Sequence, residues 1–411
     1  MALNLLRNSR VFFTTKLDSY GKVDATAVMT ATDTREIQVL DGFSFSQNTG
    51  QETVTTNEAG TAPIRGQRSF NTSLEPVDWS FTTYMRPTLT EGATTTAGPD
   101  ADDLVDCEES VLWNAMASVT GNAWTQTPGV VSGGAFTTAP KSAVSFANSN
   151  AHQLQAFGLI IVFEDVTYVI DNCAIDSATI DFGLDAIAAV QWAGKGTSMR
   201  QLANNVLIAA PTGTPATVAL TGGITGSGAV ARAKDTGARF IANKLSTMTL
   251  AASNFGGVTA ASYTIALTGG SLTISNNLTY LTPANLGVVN KPITYFTGTR
   301  SVTANVTAYL KTGLVGGNKQ GAGLLNDLLI ASDSAAENKF ASTISLGGVT
   351  NATRVDLSMP TVQLSIPAIT SEQIISTSIT MTAQGSATGL AGGAYDLEAK
   401  NELDITYYAA A

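Results

Sequence analysis

Side chains suited to acid–base or nucleophilic chemistry are few and widely spaced in this sequence. His152 is the single histidine, so a Ser-His-Asp or Cys-His centre would depend on it. No Gly-x-Ser-x-Gly motif surrounds a serine, and Cys107 and Cys173 lack a local catalytic signature. We therefore interpret His152 as a solvated or packed loop residue and expect a protein that is not an enzyme.

Four carboxylates, Asp171, Asp176, Asp181 and Asp185, follow one another closely and could bind a metal or exchange protons. In a strand, Asp171 and Asp181 would share one face while Asp176 pointed to the other. No Asp-x-Asp-x-Asp-Gly loop occurs. The spacing favours a solvated acidic face, and we predict no metal site.

Two glycine-rich stretches, Thr221 to Gly228 and Gly316 to Lys319, could suggest phosphate binding. Thr221 to Gly228 lacks the Gly-Lys-Ser/Thr ending and a flanking strand and helix, and we interpret both stretches as loops. No cofactor is predicted. The aromatic residues Phe43, Phe45, Trp79, Phe81 and Trp192 could stack on bases. They have no basic partners and occupy apolar positions, so we predict that they pack in the core.

Composition limits the class of protein. Hydrophobic residues make up 44% of the 411 residues and charged residues only 13%, which favours a folded all-β protein over a disordered one. The net charge is −10 and no Lys/Arg-rich run occurs, so a protein that grips nucleic acid is not expected. No apolar run approaches the length of a membrane span, about 18 residues. The two cysteines fit free thiols, and one long-range disulfide remains the alternative.

The elements that would position these residues occur twice. Phe43 to Asn48 matches Leu272 to Asn277, and Trp79 to Arg86 matches Ala304 to Lys311. Their apolar and polar positions alternate in the same phase, which is typical of strands with one buried face. Two further predicted strands match: Ala178 to Phe182 with Val362 to Ile366, and Ala188 to Ala193 with Thr377 to Thr382.

One short helix is predicted in each half. The first begins at Asp102-Asp103-Leu104 and continues to Met116, because acidic residues suit a helix N-terminus and apolar residues recur at helical spacing. Its counterpart is Leu324 to Leu329. The duplication predicts a first domain over 1–205, a linker or loop over 206–239, and a second domain over 240–411. Residues 88–101 and 119–150 are predicted surface loops.

The same segments resemble a known family. Leu3 to Phe12, Asn57 to Gly60 with Arg65-Gly66, and Trp79 to Tyr84 resemble the first half of a bacteriophage tail tube protein. Thr268 to Pro283, Phe296 to Gly298 and Thr307 to Leu310 resemble the second half. The likeness covers most of the chain and is greatest to the two-domain, duplicated type of long non-contractile tails.

This resemblance implies a mainly β fold with two tandem tail-tube domains, each a twisted antiparallel β-sandwich or sheet with one short helix. It implies that three chains form a pseudo-hexameric ring, a ring-shaped β-barrel. Rings would stack into a tube that surrounds the tape-measure protein and conducts viral DNA without binding it specifically. The implied partners are further copies of itself, the tape-measure protein, the tail terminator and tail-tip or baseplate proteins, with no membrane. The implied location is the virion, after assembly in the host cytoplasm. The immunoglobulin-like domain that some relatives carry is not expected.

Within that architecture the polar phase of the strands is expected to line the channel. We predict that the lumen-facing residues are Ser80, Thr82, Asp181, Gln191, Asn305, Thr307 and Thr380. Arg86 and Lys311 lie at strand ends. We predict that they lie at the ring rims and pair with acidic residues of the next ring.

Two other interpretations share this composition. A tube of a contractile tail is the nearest variant. An extracellular all-β adhesin-like binding module is the alternative from another class, but it needs an export signal, and Met1 to Arg7 lacks the apolar core of one. A hydrolase is the weakest alternative.

Overall fold

The computed structural model of the protein describes residues 9–40, 43–54, 68–90, 99–118, 124–146, 154–209, 217–224, 229–231, 240–252, 261–331, 339–347, 353–370, 374–385 and 401–409. His152, Leu3 to Asn8 and Asn57 to Gly66 lie outside these residues. The predictions made for them remain predictions.

The described chain is mainly β. The first part contains β1 (Arg10–Thr14), β2 (Thr34–Ile37), β3 (Ser44–Val54), β4 (Arg68–Tyr84), β5 (Thr88–Thr90), β6 (Leu104–Asp106), helix α1 (Ser110–Ala117), β7 (Trp124–Thr127), β8 (Val130–Ser132), β9 (Ala135–Thr138), β10 (Lys141–Phe146), β11 (Phe157–Val162), β12 (Thr167–Asp181), β13 (Ala189–Gly196) and β14 (Ser198–Gln201). Next come β15 (Val206–Ile208), β16 (Thr217–Gly222) and β17 (Ala229–Ala231).

The remaining elements begin with a 3-10 turn at Asn243–Leu245. They continue as β18 (Thr247–Ala252), β19 (Ala261–Ile265), β20 (Leu267–Ser275), β21 (Leu278–Leu281), β22 (Thr294–Thr297), β23 (Ser301–Tyr309), β24 (Leu314–Val315), β25 (Asn318–Lys319), helix α2 (Gly321–Ala331), β26 (Lys339–Gly347), β27 (Arg354–Leu364), β28 (Ala368–Thr370), β29 (Ser376–Ala383) and β30 (Leu403–Tyr408).

A single antiparallel sheet, which we call the front sheet, runs through both halves of the chain. Its order is β3-β4-β13-β12-β20-β23-β29-β28, and each neighbouring pair is antiparallel. The sheet crosses from the first half to the second at β12 and β20. Among the described residues it does not close on itself, because its two end strands each have a ladder partner on one side only.

Two further layers cover the apolar side of the front sheet. The first back sheet has the order β2-β1-β11-β12-β14, and the second has the order β19-β18-β26-β27-β30. Phe157 of the first back sheet contacts Trp79 of the front sheet edge to face, with ring centroids 5.9 Å apart. This is the layering of a β-sandwich, as the family resemblance implied.

The five predicted aromatic core residues behave as expected. Trp79, Phe81 and Trp192 are buried, and Phe43 and Phe45 pack against the same cluster. Burying one such side chain contributes roughly 1.5–3 kcal/mol. These rings therefore hold the two layers together on the side away from the polar face.

The strand order of the first half recurs in the second. Strands β1, β2, β3, β4, β11, β12, β13 and β14 have the same pairings as β18, β19, β20, β23, β26, β27, β29 and β30. Each half also places one helix between its β4-type and β11-type strands. The four strand matches from the sequence all fall within this set.

Three local predictions were wrong. Residues 102–106 do not begin the first helix: Leu104–Asp106 form β6, which pairs with β5, and α1 starts at Ser110. Residues 119–150 are not only loop, because β10 pairs with both β7 and β30. The segment 206–239 includes β15, β16 and β17, and its Leu220 and Ile224 are buried, so it is more than a linker. In each case pairing with another strand outweighed the local sequence pattern, which was acidic at residues 102–106 and polar and glycine-rich in the other two segments.

Two of the strand matches, β3 with β20 and β13 with β29, slip by two residues. Tyr84 lies opposite Ala189 in the first half, and Tyr309 lies opposite Ser376 in the second, so β13 and β29 align at an offset of 187 rather than 189. Two residues are one full period of a strand. A slip of two residues therefore leaves the side chains of these strands on their predicted faces, and the sequence pattern does not reveal it.

Candidate functional site

The candidate site is the polar face of the front sheet, on the side opposite to the two back sheets. Along each strand buried apolar residues alternate with accessible polar ones, as in Ser301–Tyr309, where Val302, Ala304, Val306 and Ala308 are buried. The cross-strand register brings the polar positions of neighbouring strands opposite one another. The result is a set of polar rows that run across the sheet, perpendicular to the strands.

Three such rows can be followed from the first half into the second. The serine row is Ser44, Ser80, Ala193, Ser177, Ser275 and Ser301. The threonine row is Thr82, Gln191, Thr179, Thr273, Thr303 and Thr382. The third row is Tyr84, Ala189, Asp181, Ser271, Asn305 and Thr380.

Six of the seven predicted lumen-facing residues lie in these rows. Ser80 and Thr82 are half-buried, whereas Asp181, Gln191, Asn305 and Thr380 are exposed. Thr307, the seventh, is exposed on the same face and lies opposite Gly269 and Ser378. The structure therefore brings the seven residues together on one face of one sheet. Whether that face lines a channel stays a prediction.

Much of this face was not predicted from the sequence. Ser44, Thr179, Ser271, Thr273 and Thr303 belong to the rows but were not assigned a role. The signal was available, because they hold the polar phase of strands already recognised. Two cross-strand hydroxyl pairs reinforce the rows: Ser44 Oγ lies 2.9 Å from Ser80 Oγ, and Thr179 Oγ1 lies 3.2 Å from Thr273 Oγ1.

Charge is nearly absent from the three rows. Asp181 is their one ionisable carboxylate, and none of their members is a lysine or arginine. A cation does lie beside the serine row, where Lys195 Nζ is 2.6 Å from the Asp78 carboxylate. This pairing leaves little net positive charge to attract an anion. The face can form hydrogen bonds with water but offers little electrostatic attraction to phosphate.

Arg86 departs from its predicted role. It is only 6% exposed, and its guanidinium lies 2.8 Å from Glu108 of the same chain, with Gln38 as a further partner and the Phe240 ring 5.5 Å away. An arginine held in this way is not available to pair with an acidic residue of another ring. Burial raises the pKa of Glu108, and Arg86 opposes that shift. Lys311 is exposed next to the end of β23, which leaves its predicted rim position untested.

Asp171 is not part of a solvated acidic face, as had been expected. It is fully buried and accepts hydrogen bonds from the Val23 backbone N–H (2.8 Å), Ser198 Oγ (2.9 Å) and Arg200 Nε (3.0 Å). Asp171 pairs with β14 in the first back sheet, whereas Asp181 pairs with β13 and β20 in the front sheet, and two irregularities in β12 separate them. Asp171 is buried because the Val23 segment packs over this part of the back sheet.

No group of three or more His, Cys, Asp or Glu side chains suited to a metal occurs within the described ranges. Cys107 and Cys173 are both buried free thiols, as predicted, and burial raises the pKa of each. No helix in the described part of the chain is long and apolar enough to cross a membrane.

Comparison with known proteins decides the family. The chain is 30% identical over 381 residues to the tail tube protein pb6 of Escherichia phage T5, a match that covers 92% of this chain and 72% of that protein. The chain belongs to the phage tail tube protein family. No family model matches the sequence.

Membership in this family gives the chain a structural role in the phage tail and makes it a component of the virion. The family predicted from the sequence is thus confirmed.

Proposed function

We propose that this chain is the repeating subunit of the tail tube, that three copies form a ring, and that the polar face of the front sheet lines the channel. The observation that carries the proposal is the set of serine- and threonine-rich rows, each of which crosses six strands and continues from the first half of the chain into the second. The non-enzymatic role of a structural tail component agrees with this surface.

The repeated strand order supports three chains per ring. A sheet edge left open is a template for further pairing, and a closed ring removes it. Each chain supplies two units with the same pairings, so three chains supply six units. Eight front-sheet strands per chain would then give a barrel of 24 strands. A barrel of this size encloses an open channel rather than a packed core.

The chemistry of the polar face suits a conduit for DNA. Each phosphate neutralised by a lysine or arginine adds binding that must be broken before the DNA advances. A face of hydroxyls and amides with the Asp181 carboxylate avoids such contacts. In this proposal the rings stack around the tape-measure protein, end at the terminator and the tail-tip proteins, and later conduct viral DNA into the host. Assembly takes place in the host cytoplasm, and the tail is of the long non-contractile type.

Electron microscopy of the purified protein and of the tails tests this function. We expect hollow tubes of stacked rings with three-fold symmetry and six similar lobes of density per ring. Rings of six chains, or a lumen lined by the apolar side of the front sheet, would contradict the proposal.

A further inference from the structure

Over the described residues, the two end strands of the front sheet have ladder partners on one side only, whereas the strands in its middle are paired on both sides. In the middle, the last residues of β12 pair with β20, and this ladder joins the two halves of the chain. At the ends, β3 pairs only with β4, and β28 pairs only with β29, among the residues that the structure describes. Each end strand therefore has one edge without a ladder partner there.

Strand β28 occupies in the second half the place that the end of β12 occupies in the first. Phe157 lies opposite Cys173, and Phe340 lies opposite Val362, so Val362 near the end of β27 corresponds to Cys173 in the middle of β12. The strand is then interrupted at residues 365–367 and continues as β28.

The ladders with β13 and β29 complete this correspondence. Ile180 lies opposite Val190 in the first half, and Ile369 lies opposite Thr377 in the second. Val190 and Thr377 correspond at the same offset of 187 that relates Ala189 to Ser376. Ile369 is thus the counterpart of Ile180.

Strand β3 likewise occupies the place of β20. Phe45 lies opposite Trp79, and Leu272 lies opposite Ala304. Trp79 and Ala304 are related by the same offset as Tyr84 and Tyr309, so Phe45 corresponds to Leu272. Inside the chain, the end of β12 pairs with β20. The counterparts of these two segments, β28 and β3, are not paired with each other within the described chain.

The exposed side chains at these edges fit such a pairing. Ile366 lies between β27 and β28 and is 51% exposed, and Ile369 lies in β28 and is 55% exposed. Phe45 on β3 is only half-buried, although it belongs to the aromatic cluster with Phe43 and Phe163. An open strand edge with exposed apolar side chains is unfavourable in water, and a second strand covers both the backbone and the side chains.

We propose that β28 of one copy of this chain pairs antiparallel with β3 of the next copy and so continues the front sheet between subunits. The internal ladder sets the register. Ile180 opposite Leu272 corresponds to Ile369 opposite Phe45, and Asp181 opposite Ser271 corresponds to Thr370 opposite Ser44. The contact joins two different surfaces head to tail, which gives a ring when the rotation closes. The inference rests on the proposed ring of copies and specifies which edges form it.

Disulfide trapping tests the register directly. The double variant Ser44→Cys/Thr370→Cys introduces thiols on the open face, where both residues are exposed. Directly opposed residues have Cβ atoms about 4.5–5.5 Å apart, within reach of a disulfide after small adjustments, whereas diagonal neighbours are about 7–8 Å apart. The matched control is Ser46→Cys/Thr370→Cys, because Ser46 is exposed on the same face one strand period away. Cys107 and Cys173 are buried and free.

After mild oxidation of the assembled protein, we expect covalent dimers and trimers from Ser44→Cys/Thr370→Cys on non-reducing gels, with no species beyond the trimer, and monomers from the control. Tubes that form normally while the first variant stays monomeric would overturn the edge pairing and leave the tube function standing. Equal cross-linking of the control would overturn the register. Covalent closed trimers without any tubes would support the pairing and count against the proposed function.

A second variant tests the edge without a thiol. Ile369→Lys replaces an exposed apolar side chain, so the subunit should fold with an unchanged melting temperature. We expect it to remain monomeric by light scattering under conditions in which the parent protein assembles. Unimpaired assembly would contradict the proposed edge.

Discussion

Tyr407 and Glu109 are joined by a hydrogen bond of 2.9 Å from the phenol hydroxyl to Oε1, although 298 residues separate them in sequence. Tyr407 lies in β30, and Glu109 immediately precedes α1. Trp113 Nε1 donates to the same hydroxyl at 2.9 Å, and all three residues are fully buried. The last described strand is thus fixed to the helix of the first half inside the common core.

Removal of this hydroxyl should destabilise the subunit. In Tyr407→Phe the Trp113 N–H and the Glu109 carboxyl lose a buried partner, and leaving such groups unsatisfied costs about 1–3 kcal/mol. We expect a decrease of that size in the free energy of unfolding, measured with denaturant. The control, Tyr20→Phe, changes the same chemistry at a residue that is 83% exposed and should have little effect. Equal losses from the two variants would contradict the assigned role.

The stability of the subunit should depend on the protonation of Glu109. Burial raises the pKa of Glu109 to about 7 from its ordinary value of 4.5. Between these two pH values the folded state holds a proton that the unfolded state releases, so the free energy of unfolding falls as the pH rises through this window. Glu109→Gln is neutral throughout and should flatten that decline, by an amount on the order of 3 kcal/mol.

Unfolding curves recorded from pH 4 to pH 8 measure this effect, with the exposed Glu75→Gln as the control. The control should keep the slope of the parent protein. A Glu109→Gln variant with the parent slope would show that another group carries the pH dependence.

The buried carboxylate of Asp171 should matter far more than a surface one. Asp171→Asn leaves the Val23 N–H and Arg200, whose side chain is 35% exposed, without their charged partner, and weakening hydrogen bonds at a buried carboxylate costs about 1–3 kcal/mol. Asp78→Asn breaks the Lys195 pair at a carboxylate that is 57% exposed, where pairs contribute about 0–1 kcal/mol. Thermal unfolding of the two variants should rank them in that order. A larger effect at Asp78 would mean that burial does not govern these pairs.

Access to the polar face should change on assembly. Cysteines placed at Gln191, Thr307 and Thr380 should react with a small maleimide in subunits and in tubes, because these residues are exposed. A maleimide attached to a bulky protein should label the subunits but not the walls of intact tubes. Val306→Cys, at a position that is 1% exposed, is the unreactive control. Labelling of intact tubes by the bulky reagent would place this face outside the channel.

Positive charge introduced on the same face should slow the passage of DNA. Thr307→Arg and Thr380→Arg add guanidinium groups to a face whose three rows contain none, and phosphate contacts make binding salt-dependent. We expect variant tubes to retain duplex DNA at low salt and to release it as salt is raised, measured by co-sedimentation. Thr307→Gln and Thr380→Gln change size without charge and should not retain DNA. Strong retention by the parent tubes would refute the low-adhesion argument.

The sequence by itself determined the strands and their faces. In segments such as Trp79 to Tyr84 and Ala304 to Tyr309, the alternation of side chains is a local property of an extended chain with one buried side, so it can be read without knowing the partners. The same alternation placed the seven predicted residues on one face. It also related the strands of one half to those of the other, because repeated packing demands repeated patterns.

Only the tertiary structure decided the register, the partners and the exceptions. A slip of two residues preserves the pattern, so the true alignment of β13 with β29 appeared only in the ladders. Asp171 is buried because Val23 and Arg200, which are remote from it in sequence, bind and cover its carboxylate. Arg86 is buried because Glu108 and Phe240, distant in sequence, converge on it. Such features depend on contacts between remote segments, which composition and periodicity do not encode.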